Sequence, residues 1–309
     1  MEAYSIYQQI AERTQGDIYI GVVGPVRTGK STFIKRFMDL LVIPNIENTY
    51  QKERAKDELP QSATGRTIMT TEPKFVPNEA VEITIDENVK LKVRLIDCVG
   101  YLVKGALGYL ENNAPRMVST PWFEHQIPFE EAAEIGTKKV INEHSTIGLV
   151  VTTDGTITDI EREEYIEAER RVINELKEID KPFIIVLNST RPMDSQTLKL
   201  KEELEAKYAV PVVNVNCAQM RLEDVNAIME KILYEFPISE IGINIPRWIE
   251  TLEDDHWLKV DLMDSIRDAF KNISKIREIK GCVNRLGEYD HVKKAFVERI
   301  DLGEGNVAV

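Results

Sequence analysis

Three cysteines in 309 residues, Cys98, Cys217 and Cys282, are too few and too scattered for a disulfide framework or a zinc site. A reducing cytosol is the expected compartment. Basic residues are also short: 39 Lys and Arg stand against 52 Asp and Glu, a net charge of −13. That leaves no surplus to release counterions from nucleic acid or to hold the chain on anionic lipid. No apolar run approaches the ~20 residues that a spanning helix needs. The opening "MEAYSIYQQIAERTQGD" has acids where a signal peptide would be apolar. Histidines number four, with no i, i+4 pair and no cysteine partner, so His125 and His144 read as structural or solvated. These absences together predict a cytoplasmic protein that is neither a nucleic-acid binder nor a membrane span.

What the chain does have is alternation. "DIYIGVVG", "VKLKVRLIDCVG", "TIGLVVTTDGT", "FIIVLNS" and "VPVVNVNCA" are short β-branched runs, and helical spacing separates most of them. Near-continuous apolar strands joined by helices predict an α/β fold, a mostly parallel sheet covered on both faces. In such a sheet the ligand sits outside the carboxyl ends of the strands. Residues 1–236 read as this domain, and 237–309 as a small α+β domain with one long polar helix. Trp248 and Trp257 are expected in the core of the small domain. The acidic helix at 160–178 is expected to show a solvated face. The Pro- and aromatic-rich insertion at 115–136 reads either as a packed loop or as an assembly surface.

The strongest motif is Gly24-Pro25-Val26-Arg27-Thr28-Gly29-Lys30-Ser31, with Thr32 following, after a strand and before a helix. It fits the P-loop spacing G-x-x-x-x-G-K-[ST]. The glycines let successive N–H groups point at phosphate oxygens, and the helix adds its positive end. Lys30 is expected on the β- and γ-phosphates and Ser31 on Mg²⁺. A magnesium site also needs a carboxylate at a neighbouring strand end. Asp97, followed by Gly100, supplies it, with the Gly100 N–H facing the γ-phosphate. Between these motifs, "SATGRTIMTTEPKFVP" stands where a switch loop would lie, with Thr67, Thr70 and Thr71 as candidates for Mg²⁺ and γ-phosphate contacts. Tyr101 follows Gly100, where some GTPases carry Gln, and a Tyr cannot orient water in the same way. Arg27 and Arg66 are candidate arginine fingers, and Asp154 either faces the site or caps a turn.

The base loop departs from the GTPase pattern. "FIIVLNSTRP" empties into Asn188, Ser189, Thr190 and Arg191, where a guanine reader would carry Asn-Lys-x-Asp. Asn188 survives, but the carboxylate position is Arg191. Leaving hydrogen-bonding groups of the guanine edge unpaired costs about 1–3 kcal/mol each, so guanine preference should collapse in favour of ATP. "NVNCAQM" departs equally from the usual second base loop.

"DIYIGVVGPVRTGKSTFIKRFMDL", "DELPQSATGRTIMTTEPKFVP", "RLIDCVGY", "STIGLVVTTDGTITDI" and "HWL" together closely resemble the stage IV sporulation protein A family of endospore-forming Firmicutes. The resemblance implies a GTPase-derived, TRAFAC-like P-loop NTPase that hydrolyses ATP and self-assembles into a static polymer, the basement layer of the spore coat. It implies Lys30 for phosphate, Asp97 as the Walker B carboxylate, Thr71 near Mg²⁺, and Thr70 and Thr71 as sensor threonines. It places the chain in the mother-cell cytoplasm at the forespore outer membrane. Its implied partners are further copies of itself, other spore-coat morphogenetic proteins, and the small amphipathic peptide stage V sporulation protein M. That peptide is engaged by a C-terminal part expected to extend beyond residue 309. The competing reading is a divergent GTPase-like switch that recruits a partner reversibly.

Overall fold

Strand residues that alternate between two cores set the middle of the fold. The computed structural model describes residues 3–60, 73–86, 89–111 and 114–309. The larger part contains helix α1 (Ala3–Thr14), strand β1 (Asp17–Val23), α2 (Lys30–Phe37), α3 (Thr49–Asp57), β2 (Lys74–Asp86) and β3 (Val89–Asp97). It continues with α4 (Phe129–Lys139), β4 (Ile147–Thr153), α5 (Ile166–Glu178), β5 (Phe183–Asn188), α6 (Ser195–Tyr208), β6 (Val212–Val215) and α7 (Leu222–Leu233).

Six strands form one sheet in the order β6-β5-β4-β1-β3-β2. β1, β3, β4, β5 and β6 are mutually parallel, with Val22 opposite both Asp97 and Leu149. Only β2, at the edge, runs antiparallel, as the return arm of a hairpin with β3. Successive side chains leave opposite faces of a strand. In β5, Ile184 and Val186 accordingly join a core with Phe33 and Ile228, while Phe183, Ile185 and Leu187 join a second core with Phe129 and Val172. The expected mostly parallel sheet with helices on both faces is what the chain forms. Its parallel strands deliver their carboxyl ends to one edge.

After α7 the chain builds a smaller sheet from β7 (Glu240–Gly242), β8 (Arg299–Asp301) and β9 (Asn306–Ala308), in the order β7-β9-β8, with helices α8 (Trp257–Phe270) and α9 (Ile279–Leu286). It leans on the larger part. Ile276 and Leu302 are buried in the first core, Arg13 donates to the Leu302 carbonyl at 2.6 Å, and Arg277 donates to that of Ala209 at 2.7 Å.

The expectation of two core tryptophans fails here. Trp248 and Trp257 are not core residues but 56% and 69% exposed. The buried stripe of α8 is Leu262, Ser265 and Ala269, and Trp257, five residues before Leu262, lies off it. In the short helix Arg247–Glu250 the buried position belongs to Ile249. Trp248 instead borders an apolar cavity of about 560 Å³, with Leu258, Leu262 and Phe296. The insertion at 115–136 is packed: Val118 pairs with Ile127, and Phe129, Ala132 and Ala133 are buried, while Met117 and Phe123 stay exposed.

Candidate functional site

Residues 24–29 form the loop between β1 and α2, at the carboxyl edge of the sheet, and Lys30 and Ser31 open the helix. The loop's turn needs residues that tolerate positive φ. Gly24 sits at 138° and Gly29 at 94°, and Arg27 takes 63° despite its side chain. Close approach makes glycine necessary as well: a Cβ on Gly24 would strike the Val151 carbonyl oxygen, and one on Gly29 the Asn188 amide nitrogen. Thr28, fully buried, closes the loop by donating to the Pro25 carbonyl at 3.0 Å.

Lys30 is buried, and its ammonium folds back onto the loop, donating to Pro25 O at 2.6 Å and Gly24 O at 3.3 Å. Burial holds its pKa below the ordinary lysine value, against the opposing pull of Cys98 and Asp97. Asp97 ends β3 beside it, buried to 6% exposure. Ser31 donates to Asp97 Oδ2 at 2.5 Å, while Asp97 Oδ1 is buried without a hydrogen-bond partner. Burial pushes the Asp97 carboxyl up, opposed by the Ser31 hydrogen bond and the Lys30 charge. No group of three His, Cys, Asp or Glu that could hold a metal occurs among the described residues. One carboxylate with an orphaned oxygen plus one hydroxyl is instead the donor set of a Mg²⁺ that keeps waters and phosphates as its other ligands. The residues fit that ion.

Gly100, at φ 90°, closes the far side, where a Cβ would meet the Gly24 carbonyl and Lys30 Nζ. The next residue is pinned. Tyr101 O accepts from Val26 N at 2.9 Å, while the Tyr101 hydroxyl donates to Glu175 on α5 at 2.5 Å. The Arg171 guanidinium lies over its ring, 4.5 Å from the centroid, and pairs with Glu134 of α4. Tyr101 is therefore an anchor for the loop.

The helix expected to be a solvated acidic face, α5, is not one throughout. Glu169 is fully buried, accepts from Thr152 at 2.6 Å and Tyr208 at 3.1 Å, and pairs with Arg162 at 2.7 Å. Its carboxylate is compatible with burial because each oxygen has a partner.

The loops after β4, β5 and β6 are stitched to the phosphate loop. Asn188 donates to the Thr28 carbonyl at 3.0 Å and accepts from Cys217 N at 3.0 Å. Asp154 caps its turn by accepting from Thr156 N at 3.0 Å, and its other oxygen accepts from Thr197 at 3.0 Å. Thr156 in turn accepts from Thr190 N at 2.9 Å. Nothing in the sequence pattern marked Glu169, Glu175 or Thr197 for these tasks, because their partners lie far away along the chain.

Residues 1–237 match the family model described as Stage IV sporulation protein A, ATPase domain, and residues 238–309 match that of its middle domain. The chain belongs to the stage IV sporulation protein A family. Proteins named Stage IV sporulation protein A from Clostridioides difficile (strain 630), Bacillus anthracis and Bacillus subtilis (strain 168) are each 53% identical to it over 305 residues. The matched region is 99% of this chain and 62% of each relative, so the chain spans about three-fifths of their length. Among solved structures, that of an SsGBP variant aligns with a TM-score of 0.37 at 16% identity, over 74% of this chain and 60% of that one.

The ATPase domain of the family thus coincides with the sheet and loops described above. Lys30, Ser31, Asp97, Gly100 and Asn188 come together at one edge, with residues 24–29 between them. Thr32 follows on the first turn of α2. Arg66, Thr67, Thr70 and Thr71 lie outside the described residues. Arg191 is exposed at the mouth of the base loop. Among the described residues no helix is long and apolar enough to cross a membrane.

Proposed function

We propose that this chain is a Mg²⁺-dependent ATPase that slowly hydrolyses ATP to drive its own assembly into the static basement layer of the spore coat. The observation that carries the catalytic part is the junction of Lys30, Ser31 and Asp97 on the phosphate loop, in a chain whose family model is an ATPase domain. Lys30 would exchange its two loop carbonyls for β- and γ-phosphate oxygens. Ser31 and Asp97 would hold Mg²⁺, whose charge neutralises the phosphate oxygens. The N–H groups of residues 27–31 and of Gly100 would line the phosphates, with Thr70 and Thr71 as the sensor threonines and Thr71 beside the ion.

The antiparallel β2 hairpin beside an otherwise parallel sheet supports derivation from a GTPase-like, TRAFAC-type fold. Arg191 in place of the guanine-reading carboxylate supports ATP over GTP. In this reading residues 1–236 are the motor and 237–309 a middle domain. The protein works in the mother-cell cytoplasm at the forespore surface, and stage V sporulation protein M meets the part of the relatives beyond this chain.

Phosphate release from ATP and GTP, side by side with Lys30→Ala, tests it. ATP turnover that disappears in the variant supports the reading. A preference for GTP, with polymer that dissolves when nucleotide is removed, would overturn it in favour of a reversible switch.

A further inference from the structure

Base selection is expected at the loop after β6, because Asn188 joins it directly to the phosphate loop: one side-chain amide bridges Thr28 O and Cys217 N. The next two residues, Ala218 and Gln219, are exposed at that rim. Their backbone N–H groups are nevertheless engaged. Asn216 Oδ1 accepts from Ala218 N at 3.1 Å and from Gln219 N at 3.3 Å. Gln219 N also reaches the Asn216 carbonyl at 3.0 Å. Three consecutive amides, at 217, 218 and 219, thus point at acceptors belonging to the protein itself.

The two purines differ in sign at this position. Guanine carries the O6 acceptor where adenine carries the N6 amino donor. A rim of free N–H groups would satisfy guanine and leave the adenine amino group facing donors. A rim whose N–H groups are already occupied has nothing to offer O6. We propose that Asn216 is a specificity-determining residue of the nucleotide site: its Oδ1 takes up the loop amides that would serve guanine and so withdraws the donors from the rim. The selectivity then has two parts, the missing carboxylate at Arg191 and the occupied amides at 218 and 219. This inference rests on the ATP reading of the same site.

The test is equilibrium binding of ATP and of GTP to the full chain, to Asn216→Ala and to Asn216→Asp, which keeps an acceptor oxygen at the same place. The amide oxygen makes roughly one hydrogen bond's worth of difference, so Asn216→Ala should shift the ATP-to-GTP affinity ratio toward GTP by about three- to tenfold, while Asn216→Asp stays within about twofold of the parent. An unchanged ratio in Asn216→Ala, with ATP still preferred by the parent, overturns the role of Asn216 and leaves the ATP reading standing. Equal weakening of both nucleotides in Asn216→Ala, restored in Asn216→Asp, assigns the residue to bracing the loop and also overturns the proposal. A parent chain that binds neither nucleotide sinks the ATP reading, and this inference with it.

Discussion

Ser31 donates to Asp97 across 2.5 Å, tying the first turn of α2 to the last residue of β3 and leaving the other carboxylate oxygen buried and unpaired. Burial raises the folded-state pKa of Asp97 above its unfolded value. The native chain therefore holds the proton more tightly, and the stability linked to it is complete below the unfolded pKa and lost as pH rises through the folded one. The ionised form, the one that could hold a cation, is therefore kept at a cost in stability.

Asp97→Asn should separate the two effects. The nucleotide-free protein should gain about 1 kcal/mol, roughly 2–4 °C in melting temperature. Mg²⁺-dependent phosphate release should fall about a hundredfold, since a preorganised charge is gone. Thermal melts and phosphate release on the same preparation check this. A variant that is both less stable and still active would refute the assignment.

Asp154 carries the opposite shift. Burial pushes its pKa up, but hydrogen bonds from Ser189, Thr156 and Thr197 outweigh this and hold the carboxyl below its usual range. Such a group contributes stability above its unfolded pKa of about 3.9 and loses it as pH falls through the folded value. The parent chain and Asp154→Asn should therefore differ in denaturant midpoint near pH 7 and converge below about pH 4. Parallel curves across that range would show that Asp154 does not organise the loops after β4 and β5.

The phosphate loop and the sheet were legible in the sequence for local reasons. Glycines at fixed spacing report backbone that no side chain tolerates, and β-branched runs report strands buried on both faces. The tasks of Glu169, Tyr101 and Asn188 were not legible, because each depends on a partner across the fold: Thr152 and Tyr208, Glu175, and Thr28 with Cys217. Composition made α5 look uniformly solvated, yet a buried carboxylate with every oxygen satisfied reads the same in sequence as an exposed one. Trp248 and Trp257 misled for the converse reason: size argues for burial, but helical phase decided against it.

Tyr101→Phe tests the anchor. The hydroxyl donates to Glu175, which also faces Lys138 at 3.8 Å and Arg171 at 4.0 Å, so the carboxylate is not stranded when the donor is lost. The loss should be about 1 kcal/mol of stability, the net worth of one hydrogen bond. ATP turnover should stay within about threefold of the parent, because the removed oxygen lies against α5 and not on the phosphate loop. A fall of a hundredfold or more, with the fold intact, would return Tyr101 to the chemistry.

Gly100→Ala should be the most damaging single-methyl change at the site. The backbone there sits at φ 90°, which strains any L side chain, and the added carbon would overlap the Gly24 carbonyl and the Lys30 ammonium. One of those obstacles is main chain, so no rotamer change relieves it. Strain and displacement together should cost about 1–3 kcal/mol of stability. They should also push Lys30 off the place from which it reaches phosphate, so ATP affinity should fall by at least tenfold even under conditions where the variant is fully folded. Circular dichroism confirms the folded state, and titration with ATP reads the affinity. If a folded Gly100→Ala bound ATP as tightly as the parent, the close approach of Gly100 to the phosphate loop would have no part in nucleotide binding. The assignment of Asp97 and Gly100 as one phosphate-facing unit would then have to be given up.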